Sequence, residues 1–140
     1  MKILLPIDGS KYTRRMLSYI AAHDELLGAG HQYHLLTVVP QLSNRAAAFF
    51  DHETLETYYR DEAEKVLRAP RAFVEKQGWA VSATHLHGHA PDQIARAVQR
   101  LRPDLVVMGT HGHTALGNAV LGSVVQGVLA RCKVPVLLVR

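Results

Sequence analysis

Cysteine is nearly missing from this 140-residue chain, in which Cys132 stands alone. A single cysteine excludes an intrachain disulfide and a thiolate cluster for structural zinc. Long hydrophobic runs are missing too, since no uninterrupted apolar segment approaches the ~20 residues of a membrane span. Near the start, Pro6 and Asp8 interrupt the apolar residues before a signal-peptide core can form. These absences predict a cytoplasmic protein without a membrane partner.

Several familiar motifs of enzymes and nucleotide-binding proteins are absent as well. The sequence has no G-x-x-x-x-G-K-[ST] phosphate loop and no G-x-G-x-x-G dinucleotide fingerprint. It also has no G-x-S-x-G elbow, no H-E-x-x-H zinc motif and no paired glutamates at a predicted strand end. We therefore predict no catalytic residue, and slow or no turnover of a bound nucleotide.

The charge balance raises the question of a nucleic-acid partner. Lysine and arginine number 16 against 12 acidic residues, which gives a formal charge of +4 and a pI near 9.5. However, the basic groups at Arg14–Arg15, Arg68–Arg71 and Arg96–Arg102 fall on different predicted helices, without a recognition-helix pattern or interleaved aromatic residues. The sequence predicts a solvated basic surface and no nucleic-acid partner.

Strands and helices are predicted to alternate along the chain. Apolar runs bounded by glycine and proline predict strands at 2–7, 34–39, 79–87, 104–108 and 134–139. Helical spacing follows each of the first four strands. Because parallel neighbours need long right-handed crossovers, this order predicts an α/β fold with helices on both faces of the sheet. We expect one domain, residues 1–140, with a doubly wound five-stranded parallel sheet in the order 3-2-1-4-5.

Local signals refine the predicted helices. Ser10 is a natural N-cap for the first helix, which Gly28 and Gly30 should end. Residues 51–77 have helical composition, and Pro70 should kink or split that helix. Before it, the aromatic residues at 49 and 50 could cover the sheet or lie over a bound ligand.

The segment 109–123, G-T-H-G-H-T-A-L-G-N-A-V-L-G-S, joins a buried strand to a helix. Gly109 and Gly112 permit positive φ and a close approach of backbone N–H groups to a ligand. Ser123 and Gln126 fit a capping box, which would place free N–H groups and the positive end of the helix dipole beside the loop. The pattern favours an anion such as phosphate, and the alternative is a plain turn.

The predicted strand order also places this loop. In open α/β sheets, ligands bind beyond the carboxyl ends of the strands, where the strand order reverses. Here the reversal lies between the first and fourth strands. Asp8 and Gly109 should therefore face each other across one crevice.

The spacing of Gly109, two residues, Gly112, nine residues and then Gly122-Ser123 resembles the nucleotide-binding signature of the universal stress protein family. The resemblance covers essentially the whole chain, with I-L-L-P-I-D, T-V-V-P, G-H-A-P and V-P-V-L-L-V at the corresponding places. It implies a Rossmann-like fold of the adenine nucleotide alpha hydrolase-like type. It also implies a stress-response or signalling module that binds ATP with Mg²⁺.

The resemblance assigns contacts residue by residue. The adenosine end would contact Pro6, Ile7, Asp8 and Val38. The middle of the nucleotide would contact Met108, Gly109, His111 and Gly112. The phosphates would lie at Gly122, Ser123 and Val124. His113 stands where many family members have arginine or lysine. A histidine with an ordinary pKa of about 6.5 is largely neutral at pH 7, so phosphate affinity should be weaker, or should rise as the pH falls.

Several polar residues have two readings. Asp8 could bind a ribose hydroxyl, the base or a Mg²⁺ ion on the phosphates, or it could form an Asx-turn that opens the first helix, and one carboxylate can do both. His111 and His113 could lie near phosphate or in a solvent-exposed loop.

His85, His87 and His89 alternate as metal ligands on a strand do, but Gly88 interrupts them and no carboxylate or cysteine lies close in sequence. We predict no metal site formed by the protein alone.

The last strand, Val136–Val139, is predicted to be an apolar sheet edge, which is an aggregation hazard unless it is covered. Family members commonly pair this strand across a two-fold axis, so the resemblance implies a homodimer. Two alternatives to a nucleotide-binding module remain. They are a nucleotide-independent protein-interaction module and a weak ATPase.

Overall fold

Five strands and six helices are present in residues 1–115 and 117–140, the part of the chain that the computed structural model describes. The strands are β1 (Lys2–Pro6), β2 (Gln32–Val39), β3 (Ala80–His87), β4 (Leu105–Gly109) and β5 (Val136–Val139). The helices are α1 (Lys11–Ala22), α2 (Asp24–Leu27), α3 (Asn44–Ala47), α4 (His52–Lys76), α5 (Ala90–Leu101) and α6 (Ser123–Arg131). In this described part, no helix has both the length and the apolar character needed to cross a membrane.

The strands form one parallel sheet in the order β3-β2-β1-β4-β5. This confirms the predicted fold class and strand order. The central strand β1 pairs with β2 through Leu5 and Leu35, and with β4 through Leu4 and Val106. The order reverses between β1 and β4, so the crossovers on the two sides of this point run in opposite directions.

Each face of the sheet packs against its own pair of long helices. Successive strand residues point to opposite faces, so Ile3 and Leu5 join one core while Leu4 joins the other. The first core contains Met16 and Ile20 of α1, and Leu67 and Val74 of α4. The second contains Ile94 and Ala97 of α5, and Val125 and Val128 of α6. Burial on both faces explains why the inner strands are continuous apolar runs.

The first helix ends earlier than predicted. It stops at Ala22 rather than at Gly28, because His23 leaves the helical conformation with φ −117° and ψ 50°. The His23 ring binds the Tyr19 carbonyl oxygen at 2.8 Å, and the short helix α2 follows. The N-cap prediction is confirmed, since the Ser10 hydroxyl accepts from the Tyr12 N–H at 3.3 Å.

Of the kink or split predicted at Pro70, the split does not occur, because α4 is continuous from His52 to Lys76. An interior proline costs about 3 kcal/mol, partly through the hydrogen bond that it cannot donate. Pro70 is buried on the same stripe as Ala63, Leu67 and Val74. Packing of this stripe against the sheet therefore outweighs the local cost of the proline.

Candidate functional site

A crevice of about 280 Å³ opens at the carboxyl ends of β1 and β4, at the point where the strand order reverses. Every residue that the sequence predicts for the site lines it: Pro6, Ile7, Asp8, Val38, Met108, Gly109, His111, Gly112, His113, Gly122, Ser123 and Val124. The structure therefore brings together residues from the turn after β1, the end of β2, the loop after β4 and the start of α6.

Sequence reasoning missed part of the crevice. Thr13 of α1, Pro40 after β2, and Ala90 and Ile94 of α5 also line it. Pro40 and Ala90 lie within the T-V-V-P and G-H-A-P segments, just beyond the carboxyl ends of β2 and β3. Their position at the same edge of the sheet was the available signal. The two aromatic residues Phe49 and Phe50 neither line the crevice nor cover the sheet, because they are 82% and 50% exposed.

Asp8 forms the polar centre of the crevice. Its carboxylate oxygen Oδ1 accepts from the Ser10 N–H at 2.9 Å and from the Thr13 hydroxyl at 3.1 Å. Its other oxygen, Oδ2, accepts from the His113 N–H at 3.2 Å. The Asx-turn reading of Asp8 is thus confirmed. The same contacts hold the carboxylate in a fixed orientation at the mouth of the crevice.

His113 connects the loop after β4 to the turn after β1. Its ring nitrogen Nε2 lies 2.7 Å from the Asp8 carbonyl oxygen, to which it donates. Together with the main-chain bond to the Asp8 carboxylate, this fixes the loop across the crevice. A Cβ atom on the neighbouring Gly112 would collide with Asp8 Oδ2, so the approach of the two segments requires glycine.

His111 holds the other end of the same loop. Its Nε2 lies 2.8 Å from the Ala119 carbonyl oxygen, and its Nδ1 lies 3.0 Å from the Thr110 hydroxyl oxygen. A neutral ring with its proton on Nε2 donates to the first and accepts from the second. The ring centroid lies 5.2 Å from that of Tyr12 on α1. His111 thus has a structural role within the loop in addition to lining the crevice.

The predicted capping box at Ser123 is wrong. The N-cap of α6 is Gly122, with extended backbone at φ −70° and ψ 160°, and no side chain caps the helix. The Gly122 N–H donates to the Thr110 carbonyl oxygen at 2.7 Å, which fixes the backbone one residue before Ser123. The Gln126 amide donates to the Leu121 carbonyl at 2.9 Å instead. Ser123 is the first helical residue, and the first-turn N–H groups have no side-chain cap.

Gly109 and Gly112 do not adopt the positive φ that glycine permits. These glycines and Gly122 are needed for close packing instead. A Cβ atom on Gly109 would lie 2.7 Å from Tyr12 Cβ, and one on Gly122 would lie 3.2 Å from His111 Cα. Backbone therefore packs on backbone around the crevice, where side chains would hold it apart.

The crevice walls differ in polarity. Ile7, Val38, Ile94 and Met108 provide an apolar side that suits a flat ring. The opposite end holds the glycine loop and the amino terminus of α6, whose N–H groups and dipole favour an anion.

The sequence model of the universal stress protein family matches residues 1–140. The chain belongs to the universal stress protein family. Universal stress proteins of Synechocystis and Thermus aquaticus are each 32% identical to it over 139 residues, which is 99% of this chain. The match covers 42% of the Synechocystis protein and 97% of the Thermus protein. The chain thus spans less than half of one relative and nearly all of the other.

Solved structures of other universal stress proteins share the fold. MJ0577 of Methanocaldococcus jannaschii superposes with a TM-score of 0.82 at 26% identity, over 99% of this chain and 94% of that one. An Archaeoglobus fulgidus protein in complex with dAMP gives 0.69 at 20% identity, over 100% and 98% of the two chains. An Arabidopsis thaliana protein with AMP bound gives 0.70 at 16% identity, over 99% and 90%.

The alternating histidines of this universal stress protein do not converge. His87 stacks on Tyr59 with ring centroids 4.1 Å apart, whereas His89 lies beyond β3 and binds Asp92 at 2.8 Å. Between them, Gly88 has φ 127°, which ends the strand alternation as expected. Within residues 1–115 and 117–140, no group of three or more histidine, cysteine, aspartate or glutamate side chains could hold a metal ion.

Proposed function

We propose that this chain is a single universal stress protein domain, residues 1–140, that binds ATP with Mg²⁺. It would act as a stress-response or signalling module with slow or no ATP hydrolysis. The observation that carries this proposal is the crevice, because every residue that the family signature assigns lines one cavity at the switch point. The solved relatives with dAMP and AMP support an adenine nucleotide as the ligand class.

The residues present fit such a ligand. The cavity of about 280 Å³ is close to the lower end of the roughly 300–1,000 Å³ of small-molecule sites. Ile7, Val38 and Ile94 would take the adenine ring, and Asp8 would face the ribose or a Mg²⁺ ion carried on the phosphates. The phosphates would lie at the start of α6, where uncapped N–H groups suit an anion.

Slow turnover follows from the titratable groups that line the crevice, which are Asp8, His111 and His113. Hydrolysis of a phosphoanhydride needs a group that orients or deprotonates the attacking water. The Asp8 carboxylate already accepts from Ser10, Thr13 and His113, and both His111 nitrogens are bonded. These contacts occupy Asp8 and both ring nitrogens of His111, which favours a binding module over an ATPase.

Ligand-induced stabilisation tests the proposal. Binding to the native state alone contributes about 2.7 kcal/mol at a hundred times the Kd, which raises Tm by several degrees. We expect ATP with Mg²⁺ to raise the Tm of nucleotide-free protein. Gly122→Val should abolish the shift, because its side chain would press on the Thr110 and His111 backbone. Gly30→Val is the matched control, since no atom lies within 4 Å of a Cβ there.

Ser123→Ala separates binding from folding. Ser123 is at the start of α6, where the phosphates are proposed to lie, so its loss should weaken nucleotide binding. Because its side chain does not cap α6, the free energy of unfolding should hardly change. If millimolar ATP and Mg²⁺ leave the Tm of the parent unmoved, the binding proposal fails. A nucleotide-independent interaction module then becomes the better account.

We also propose a homodimer joined through β5. This strand is at the edge of the sheet and pairs with β4 on one side only. Val136, Leu137 and Leu138 are each partly exposed, so a second copy adding its own β5 would cover an apolar edge. Analytical ultracentrifugation should show a dimer at micromolar concentration. A monomer under these conditions would contradict this arrangement.

A further inference from the structure

The crevice contains an unusual set of charges for a polyphosphate site. Among the described residues that line it there is no lysine or arginine, whereas there is one carboxylate, Asp8. The other titratable groups in this described lining are the imidazoles of His111 and His113. The amino terminus of α6 offers only a partial charge of about +0.5. A phosphomonoester carries about −1.5 to −2 at pH 7, and each further phosphate adds to that charge.

The Asp8 carboxylate cannot easily turn away from an incoming anion. It is held by the Ser10 N–H and the Thr13 hydroxyl on one oxygen, and by the His113 N–H on the other. His113 itself is held by the bond from Nε2 to the Asp8 carbonyl oxygen, 2.7 Å long. A neutral His113 ring makes this bond without contributing any positive charge.

We propose that this crevice selects adenine nucleotides by their charge, favouring AMP over metal-free ATP and binding ATP more tightly as its Mg²⁺ complex than without the metal. The inference rests on the proposed adenine nucleotide binding and adds an order of preference to it. The partial charge of about +0.5 at α6 offsets only part of the charge of one phosphate group. Repulsion by Asp8 grows with every further phosphate, because the described lining residues include no lysine or arginine that would oppose it. Mg²⁺ removes two negative charges from ATP before it meets the site.

Isothermal titration of nucleotide-stripped full-length chain tests the proposal. Adenosine, AMP, ADP and ATP are compared at pH 8, first with EDTA and then with excess Mg²⁺. In EDTA we expect AMP to bind at least ~10-fold more tightly than ATP, with ADP between them. With Mg²⁺ the AMP-to-ATP ratio should fall to within ~3-fold.

Two variants add a cation at the crevice and one adds it elsewhere. His113→Arg should strengthen metal-free ATP binding by roughly tenfold, and AMP binding less. Ala115→Arg should also strengthen metal-free ATP binding more than AMP binding. Ala115 is an exposed lining residue, so this change leaves the hydrogen bonds of His113 in place. Gln77→Arg is the control, because this exposed residue at the end of α4 lies at the opposite edge of the sheet. It changes the net charge equally and should leave the AMP-to-ATP ratio unchanged.

The outcomes separate this inference from the proposed function. Metal-free ATP that binds as tightly as AMP overturns charge selection, while nucleotide binding itself stands. A ratio that neither crevice variant shifts, or that Gln77→Arg shifts equally, also overturns it. If neither adenosine nor any of the nucleotides binds, the proposed function fails instead.

Discussion

Replacing Gly127 by alanine tests the close contact between α5 and α6, two helices that contribute residues to the crevice lining. Gly127 lies in the middle of α6, where alanine is normally preferred by about 0.8–1.0 kcal/mol. Here a Cβ atom would lie 2.6 Å from both Cβ and Cγ of Pro91, at the start of α5. The ion pair between Arg131 and Asp92, 2.7 Å long, ties the same two helices together. The new methyl group therefore has to push two joined helices apart.

The magnitudes decide the sign of the effect. Carbon atoms pack best about 3.5–4.0 Å apart, so α6 must move by roughly 1 Å. The Pro91 ring cannot rotate away, and overpacking of this kind costs about 1–3 kcal/mol. The preference of a helix for alanine over glycine offsets about 1 kcal/mol of this overpacking cost. Taking the upper part of the cost, the free energy of unfolding should fall by about 1–2 kcal/mol. For a chain of this size, Tm should fall by roughly 3–8 °C.

Calorimetry of Gly127→Ala measures this directly, with Gly30→Ala as the control. No atom lies within 4 Å of a Cβ on Gly30, so that change should be neutral or stabilising by up to about 1 kcal/mol. We also expect Gly127→Ala to weaken the proposed nucleotide binding, because α5 and α6 both contribute residues to the crevice lining. A Gly127→Ala protein that melts a few degrees above the parent would refute the close packing of α5 on α6.

Two further predictions concern residues outside the crevice walls. Ser10→Ala should cost about 1 kcal/mol in a urea titration, because the buried hydroxyl caps α1, and an unchanged midpoint would argue against the cap. Burial, and then the charge of Arg100, hold the pKa of His34 below its ordinary 6.5. Folding thus favours the neutral ring. The contribution of His34 to the free energy of unfolding is therefore fully present above pH 6.5, and it is lost as the pH falls through the folded-state pKa. His34→Gln should flatten the decline of Tm between pH 7 and pH 5, and a parallel decline would contradict this.

The sheet could be predicted because its signals are local and strong. Runs such as Leu105–Met108 are apolar on both faces, and glycine or proline marks the ends of most strands. The positions of Asp8 and Gly109 followed from the strand order alone. The presence of Thr13 and Ile94 in the crevice lining could not be predicted from the strand order, because helix packing rather than any motif brings them there.

Two of the wrong predictions share a cause, which is that a contact distant in sequence prevailed over a local rule. A split at Pro70 was one of two predicted outcomes, but the stripe that contains Pro70 packs against the sheet. Ser123 and Gln126 have capping-box spacing, but the bond from Gly122 to the Thr110 carbonyl fixes the backbone one residue earlier. The end of α1 at His23 could not be predicted, because no glycine or proline marks it in the sequence.

The bonds between Asp8 and His113 join segments that are 105 residues apart in sequence. One wall of the crevice therefore exists as soon as β1 is made, whereas the other wall appears only after β4 and the start of α6. During synthesis, a growing chain that has released only β1, β2 and β3 has formed only one wall of the crevice. Binding of the proposed nucleotide would therefore stabilise the completed fold but would not rescue a partly made chain, so nucleotide occupancy would report that both walls have formed.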